Sequence, residues 1–215
     1  YDNVKQVECG DIHTMILTTA GEIYGCGYNG NGQLARGNTT NATSGFVKAT
    51  TGDHVIKKIS VGYRQGFYIT EDNKVYAFGY NGHGELGLGD TTQRTTPTEV
   101  TTLPADEKVV DIKQGRNHTL FLTESNKVYS TGRNTEGQIG NNSTSHVNTP
   151  VQVMTSLLIK EIGCVYYSSY FLTNTNRLYS CGQNNYGQLG DNYTTQRNSP
   201  VEIMSTDTPQ TSSIL

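Results

Sequence analysis

The chain repeats one glycine-rich phrase four times, and this repetition constrains the fold more than any other feature of the sequence. The fourth copy, Leu178–Asp191, reads L-Y-S-C-G-Q-N-N-Y-G-Q-L-G-D, and the earlier copies begin at Ile23, Val75 and Val128. The first glycines of successive copies lie 52, 53 and 50 residues apart. Repetition at this period is typical of a propeller or solenoid, in which small units cover one another, and not of one ordinary globular core.

The composition favours a fold of small repeated units over one with a single large core. Hydrophobic residues make up 33% of the 215 positions, which is little for a single large core. Glycine occurs 24 times, above the usual share of about 7%. Most of the excess lies in the repeated phrase, while threonine and asparagine fill the stretches between copies.

The charge pattern argues against a nucleic-acid partner, and the hydropathy pattern argues against a membrane span. The formal net charge is −3, from 16 basic and 19 acidic residues, and no lysine or arginine cluster is present. Non-specific nucleic-acid binding needs a basic surface. No apolar run of about 18 residues predicts a membrane span, and no signal peptide is recognised. The chain begins at Tyr1 instead of methionine, and we interpret it as a piece of a longer protein.

Each copy predicts the same series of short strands and no α-helix. A first apolar segment is followed by two β-rich runs joined by a polar turn, which is a hairpin signal. A last short segment begins at Pro97, Pro150 and Pro200, with Gly45 at that place in the first copy. We place the units at about 4–54, 55–108, 109–158 and 159–204, with 205–215 as a linker or tail. The hairpin turns are expected at Thr19–Glu22, Glu71–Lys74, Glu124–Lys127 and Asn174–Arg177.

The four cysteines follow the repeat. Cys9 and Cys26 are separated by 17 residues, as are Cys164 and Cys181, and the second copy has a valine and a phenylalanine at these places. Because unpaired cysteine behaves as a small hydrophobic residue, we predict buried free thiols within the blades. A disulfide within each of two units is the alternative. A zinc site is not expected, since no C-x-x-C pair occurs.

No residue is predicted to be catalytic, to bind a cofactor or to ligate a metal, and no cofactor is expected. His13 and His118 each precede a strand at one repeat position, where Gly66 and Ser168 replace them in the other copies, so we interpret them as structural hydrogen-bonding residues. No Ser/His/Asp arrangement recurs. The glycine-rich loops are not followed by a helix N-terminus, which a phosphate site requires.

Arginine and tyrosine supply the remaining candidates for an interaction site. Arg94 and Arg197 each stand three residues before a proline, and this recurrence suits either a partner-binding row or, as we favour, a bond to a neighbouring loop. Four further loop arginines, Arg36, Arg64, Arg116 and Arg133, are interpreted as solvated. Exposed tyrosine is frequent in protein–protein interfaces. Seven tyrosines fall in or near loops: Tyr28, Tyr63, Tyr80, Tyr166, Tyr167, Tyr186 and Tyr193.

The unit resembles the repeat of the regulator of chromosome condensation family. The third copy shows this in Gly115–Thr123 (G-R-N-H-T-L-F-L-T) and Gly132–Gly140 (G-R-N-T-E-G-Q-I-G), and the fourth in Gly182–Gly190 and Arg197–Pro200. Ala35, where the first Q-L-G would end, departs from the pattern. The resemblance extends from about residue 4 to residue 203 and implies a β-propeller of seven blades with four strands each.

The resemblance leaves two functions open. The favoured one is a non-enzymatic protein-interaction propeller, acting as a scaffold, as a cytoskeletal or ciliary component or as a domain of a larger intracellular protein. The alternative is a guanine nucleotide exchange factor for a Ran-like small GTPase. Because the family's ring has seven blades, we expect further repeats or a partner to cover the end blades. Their outer faces would then carry Ile16 and Leu17 at one end and Phe171 and Leu172 at the other.

Overall fold

The computed structural model describes residues 3–204, and every regular element within them is a β-strand. The strands form four antiparallel sheets, each of four consecutive strands. The predicted all-β architecture with four repeated units is therefore confirmed. The tail predicted at 205–215 lies outside the described residues. Within residues 3–204 there is no helix that could serve as a membrane span.

The four sheets share one pattern of strands. The first contains β1 (Val4–Cys9), β2 (His13–Thr18), β3 (Ile23–Gly27) and β4 (Ala42–Lys48). The second contains β5 (Ile56–Val61), β6 (Gln65–Thr70), β7 (Val75–Gly79) and β8 (Arg94–Glu99). The third contains β9 (Val109–Gln114), β10 (His118–Thr123), β11 (Val128–Gly132) and β12 (Val147–Val153). The fourth contains β13 (Ile159–Val165), β14 (Ser168–Thr173), β15 (Leu178–Gly182) and β16 (Arg197–Met204).

The hairpin between the second and third strands of each sheet lies where the sequence predicts it, in four residues. A threonine ends the second strand, and its hydroxyl oxygen accepts the N–H of the last turn residue, as between Thr70 and Lys74 at 3.0 Å. The third turn residue has a positive φ, with values of 77° at Gly21 and 64° at Asn73. Glycine and asparagine tolerate this conformation better than other residues, which explains the turn composition.

The last strand of each sheet begins three residues before the proline, or Gly45, from which we predicted it to start. The proline lies within an irregularity of the pairing: Ala77 pairs with Thr98 and Gly79 with Arg94, so Pro97 falls between the two paired segments. Proline has no N–H to donate and is therefore tolerated at such a bulge on an edge strand.

Neighbouring sheets pack through their first and second strands. β1 contacts β5, β5 contacts β9, and β9 contacts β13, so the first strands form the inner line of the assembly. Three apolar clusters lie between successive sheets, around Leu17 and Tyr68, Phe67 and Phe121, and Leu120. In the two central sheets, all residues of the second and third strands are buried. This accounts for their nearly continuous apolar sequence.

The end blades differ from expectation. Ile16 and Leu17 were expected on an open outer face, but they are 5% and 0% exposed, and Phe171 is also fully buried. Alternate residues of a strand point to opposite sides of the sheet. Leu17 and Phe171 belong to apolar clusters shared with the adjoining sheet, so their side chains face that sheet and not the open end. Leu172 alone meets the expectation in part: it is half-buried and lines an open groove of about 160 Å³ on the fourth sheet.

All four cysteines are free thiols, as predicted. Cys9 and Cys26 pair with the same residue, Thr14, from the strands on its two sides, so a whole strand separates the two sulfur atoms. The prediction that all four are buried is correct for Cys181, holds only in part for the half-buried Cys26 and Cys164, and is wrong for Cys9, which is exposed. Cys9 ends β1, whose residues are exposed or only half-buried.

Candidate functional site

One end of the blades carries two sets of loops. Because the strands are antiparallel, the loop after the first strand and the loop after the third strand of each sheet emerge at the same end. The first set is short, as at 62–64 and 115–117, whereas the second set is the glycine-rich phrase, as at 80–93 and 133–146. We call this end the loop face. Sequence patterns in both sets therefore meet on one surface.

A buried asparagine holds each glycine-rich loop in shape. The Oδ1 atom of Asn134 accepts the N–H of Ile139 at 2.9 Å, and its Nδ2 atom donates to the Asn141 side chain and the Ser143 carbonyl. The other three loops repeat the arrangement with Asn29, Asn81 and Asn184, all fully buried. Since these backbone amides are already bonded within the loop, they are not directed at a phosphate, and the loops form a rigid platform.

In each loop, the side chain of the residue before the leucine or isoleucine accepts a second backbone N–H. Gln138 Oε1 accepts the N–H of Glu136 at 3.0 Å, and Glu85, which occupies this place in the second sheet, accepts the N–H of His83 at 2.7 Å. The other Glu85 oxygen accepts from Asn117 Nδ2 at 3.0 Å. Glu85 is fully buried, and burial raises the pKa of its carboxyl to about 6.

The predicted structural histidines are placed at the start of the second strands, but one sequence assignment needs correction. His118 pairs with Gly132 and its Nε2 atom lies 2.9 Å from the Ser169 hydroxyl. In the second sheet the equivalent residue is Gln65, which pairs with Gly79, and not Gly66. The assignment was one residue off: Gln65 stands three positions after Gly62, as His118 stands three positions after Gly115, and the strand register agrees.

Both histidines are buried and neutral. Burial lowers the pKa of His118 to about 3 and that of His13 to about 4. Neither ring nitrogen of His13 has a hydrogen-bond partner among the described residues, so the predicted hydrogen-bonding role holds for His118 only. Each ring packs on the glycine three residues earlier: a Cβ atom on Gly115 would lie 2.2 Å from His118 Cε1. This contact explains the G-x-x-H spacing.

The principal feature of the loop face is an alternating series of arginine and tyrosine side chains. The Arg64 and Arg116 guanidinium carbons lie 5.1 and 4.9 Å from the ring centre of Tyr63. The Arg116 and Arg133 guanidinium carbons lie 5.9 and 4.3 Å from the ring centre of Tyr167. We call this series the Arg–Tyr row. Its members, in spatial order, are Arg64, Tyr63, Arg116, Tyr167 and Arg133. Cation–π contacts of this kind contribute about 0.5–1 kcal/mol each at exposed sites.

Hydrogen bonds fix the middle and one end of the Arg–Tyr row. Arg116 donates to the hydroxyl oxygens of Tyr166 and Tyr167. Arg133 donates to the Tyr167 hydroxyl at 2.9 Å and forms an ion pair with Glu136 at 2.8 Å. At the other end, the Nε atom of Arg64 is buried without a hydrogen-bond partner among residues 3–204. Arg64 is therefore held only by its contact with Tyr63.

An open cleft of about 240 Å³ lies on the Arg–Tyr row. Its lining contains all five residues of the row together with Tyr80, His83 and Asn117. No aspartate or glutamate is among these lining residues. Burial, and then the neighbouring His146, lower the pKa of His83, so this imidazole adds no positive charge at neutral pH. The charge of the cleft walls thus comes from the three guanidinium groups.

A second cavity, of about 400 Å³, lies at the opposite end between the second and third sheets. It is lined by both acidic and basic side chains, and these are largely paired: Lys74 with Asp72 at 3.7 Å, and Lys127 with the lining residue Glu107. The lining carries three acidic and two basic side chains, so neither sign of charge dominates this cavity. The loop face is the better candidate for a functional surface.

Of the other arginines and tyrosines singled out from the sequence, Tyr166 contacts Arg116 and Tyr80 lines the cleft, whereas Arg94 and Arg197 lie outside the row. Arg94 pairs with Asp90, and Arg197 with Asp191, each at 2.6 Å and within its own glycine-rich loop. Both arginines are thus structural, as we favoured, but each bonds the loop of its own repeat and not a neighbouring loop. Tyr186, at 91% exposure, lies on the fourth sheet's loop and is not among the residues that line the cleft. The described residues contain no group of three metal-ligating side chains.

Sequence reasoning missed the Arg–Tyr row, because it treated Arg64, Arg116 and Arg133 as separate solvated side chains. A signal was present in the alignment of the copies. The two positions between the glycine and the histidine read Tyr63-Arg64 in the second copy, Arg116-Asn117 in the third and Tyr166-Tyr167 in the fourth. Only the stacking of adjacent blades brings these positions within contact distance.

The comparisons with known proteins agree on the fold. The profile of the RCC1-like domain matches residues 1–214. The ultraviolet-B receptor UVR8 of Arabidopsis thaliana is 34% identical over 139 residues, which is 65% of this chain and 31% of the receptor. The human X-linked retinitis pigmentosa GTPase regulator is 33% identical over 147 residues, 68% of this chain and 14% of that protein. The chain thus spans less than a third of the length of these relatives.

Solved structures extend the comparison beyond sequence similarity. Prp20p of Saccharomyces cerevisiae has a TM-score of 0.84 at 22% identity, with 95% of this chain and 51% of Prp20p covered. Human WBSCR16 has a TM-score of 0.83 at 23% identity, with 95% of this chain and 54% of the human protein covered. At such identity the likeness concerns the fold alone. Both matches place the four sheets in the geometry of propeller blades.

Proposed function

This chain belongs to the RCC1-like domain family, and from this membership we propose that it is a non-enzymatic protein-interaction propeller that binds its partner on the loop face. Members of this fold group differ in function, so the proposal depends on the surface and not on the fold. A scaffold, a cytoskeletal or ciliary component, and a domain of a larger protein are all compatible with such a surface.

The observation that carries the proposal is the cleft on the Arg–Tyr row. Arginine and tyrosine are the residue types most enriched, with tryptophan, at the energetic centres of protein interfaces. Here they converge from four different loops, and their bonds to one another fix their positions before binding. A preorganised site loses little side-chain entropy when a partner binds, which favours affinity.

Capture experiments with the purified chain test this proposal. The unmodified chain, the variant Tyr167→Ala and the variant Tyr186→Ala are used as baits in lysates of the native cell. We expect Tyr167→Ala to lose partners that the unmodified chain retains, because it removes the ring that links Arg116 to Arg133. Tyr186→Ala, on an exposed tyrosine outside the row, serves as the control. Equal capture by all three baits would contradict binding at the loop face.

The alternative is nucleotide exchange on a Ran-like small GTPase. Prp20p was studied for binding to Gsp1p and histones, and it shares the fold of this chain. The resemblance implies that an exchange factor uses a protruding hairpin insertion, and the four sheets described here contain only their own four strands. Release of a fluorescent GDP analogue from a purified Ran-like GTPase, accelerated by the chain, would favour this alternative over the scaffold.

Further repeats or a partner are proposed to cover the fourth sheet. Tyr170, Leu172 and Leu178 line the open groove of about 160 Å³ on its outer side. A propeller blade normally covers such side chains with the next blade. An intracellular location also stays a prediction, supported by the four free thiols, since unpaired cysteines are typical of reducing compartments.

A further inference from the structure

The three guanidinium groups of the Arg–Tyr row are unequally neutralised. Arg133 has a carboxylate partner in Glu136, whereas Arg116 is bonded to uncharged hydroxyl oxygens and Arg64 has a buried Nε atom without a partner among residues 3–204. Two of the three positive charges therefore face a cleft in which no lining residue is acidic. In a chain of net charge −3, this is a local reversal of sign.

The geometry of the row also fixes the spacing of these charges. Arg64 and Arg116 lie against the same ring, and so do Arg116 and Arg133. The distances to the shared ring centres limit the separation of neighbouring guanidinium carbons to at most about 10 Å. An extended peptide advances about 10 Å over three residues, which is the scale of this separation. Carboxylates two or three residues apart on such a peptide match the row.

We propose, on the basis of the interaction function above, that the Arg–Tyr row binds an extended acidic segment of a partner protein, with one carboxylate between Arg64 and Arg116. A guanidinium binds a carboxylate through two parallel N–H donors, and such charge-assisted bonds are stronger than neutral ones. The Tyr166 and Tyr167 hydroxyls both accept from Nη1 of Arg116, which leaves the N–H groups of its other nitrogens for a carboxylate in the cleft that Arg116 lines.

An acidic protein segment fits the row better than single-stranded nucleic acid does. Nucleic acid binds such clefts by stacking bases on aromatic faces. The faces of Tyr63 and Tyr167 are already covered by arginine, twice each. The overall negative charge also repels a polyanion of many phosphates, whereas a short segment with a few carboxylates meets only the local positive cleft.

Fluorescence anisotropy with a defined peptide tests the proposal. The probe is a labelled Gly/Ser peptide of about twelve residues with three glutamates spaced three residues apart, since this spacing is about 10 Å in an extended chain. Its control replaces each glutamate with glutamine. The protein variants are Arg64→Gln and Arg133→Gln, with Arg36→Gln as the matched control, because Arg36 lies in the first sheet's loop outside the cleft. Unchanged melting temperatures show that each variant is folded.

The expected result is saturable binding of the glutamate peptide only. Arg64→Gln should weaken it roughly tenfold or more, as the loss of one charge-assisted hydrogen bond predicts, while Arg36→Gln leaves it unchanged. Raising salt from about 0.1 M to about 1 M, which shortens the Debye length from about 10 Å to about 3 Å, should also weaken binding.

Several results would overturn the proposal. These are equal binding of the glutamine peptide, no effect of Arg64→Gln and Arg133→Gln, or displacement of the peptide by lower concentrations of a single-stranded oligonucleotide than of unlabelled peptide. Self-association that Arg64→Gln abolishes would assign the row to a second copy of the chain. If the Tyr167→Ala bait loses its partners but the glutamate peptide does not bind, the acidic segment is wrong and the interaction function stands.

Discussion

Glu85 provides the sharpest test of how the loop face is built. It is the one carboxylate at a position that holds Gln33, Gln138 and Gln188 in the other three repeats. It is fully buried, and its two oxygens accept from the His83 N–H and from Asn117 Nδ2. Because a buried carboxylate lacks the hydration of the unfolded chain, we predict that Glu85→Gln stabilises the protein at neutral pH.

The magnitude follows from the shifted pKa of Glu85. Burial raises this pKa from its ordinary value of 4.5 to about 6. At about 1.4 kcal/mol per pH unit, the shift corresponds to about 2 kcal/mol. The folded state holds the proton more tightly than the unfolded chain, so this stability is present below pH 4.5, declines as the pH rises towards 6 and is lost above it. Glutamine is neutral throughout and avoids the loss.

Urea denaturation, followed by far-ultraviolet circular dichroism, measures the effect at two pH values. At pH near 8, Glu85→Gln should raise the free energy of unfolding by up to about 2 kcal/mol, whereas near pH 4.5 the two proteins should be nearly equal. In the variant, the side-chain oxygen of the glutamine can accept the His83 N–H, just as the side-chain oxygen of Gln138 accepts the N–H of Glu136. Glu124→Gln, at an exposed surface pair, should change little, within about 0.5 kcal/mol. The same gain at both pH values, or a loss near pH 8, would refute the reasoning.

Three further predictions concern the loop framework, the glycine contacts and the thiols. Asn134→Ala should lower the free energy of unfolding by about 2–4 kcal/mol in the same assay, because it leaves several buried loop groups unpaired; a change below about 0.5 kcal/mol would be contrary to this role. Gly115→Ala should destabilise the protein by about 1–3 kcal/mol, since the new Cβ atom would lie 2.2 Å from a carbon of the His118 imidazole. Gly163→Ala is the control expected to be tolerated, because the atom nearest to its Cβ would be 3.8 Å away. Equal melting temperatures of the two variants would contradict the contact. In the native state, a thiol reagent should modify Cys9 rapidly and Cys181 only on unfolding, which mass spectrometry resolves, and similar rates at both would disagree with their burial.

Repetition let the sequence alone predict the fold class and the hairpins. Each copy contains the local chemistry of its own turns: a threonine, then glycine or asparagine at the position of positive φ, as at Gly21 and Asn73. These signals act within a few residues, so no tertiary information is needed to read them. The four hairpins therefore lie where the sequence predicts them, and a structural role of Arg94 and Arg197 was also anticipated, although the partners lie in their own loops and not in neighbouring ones.

Register and contacts between blades were decided only by the tertiary structure. The bulge that places Pro97 between two paired segments, with Ala77 opposite Thr98 and Gly79 opposite Arg94, is seen only in the strand register. The Arg–Tyr row joins residues about fifty positions apart, such as Arg116 and Tyr63, and each of its loops appears ordinary by itself. A cation–π contact depends on a few ångströms of distance and on ring orientation. The stacking of one blade on the next sets both, and no pattern within a single copy encodes them.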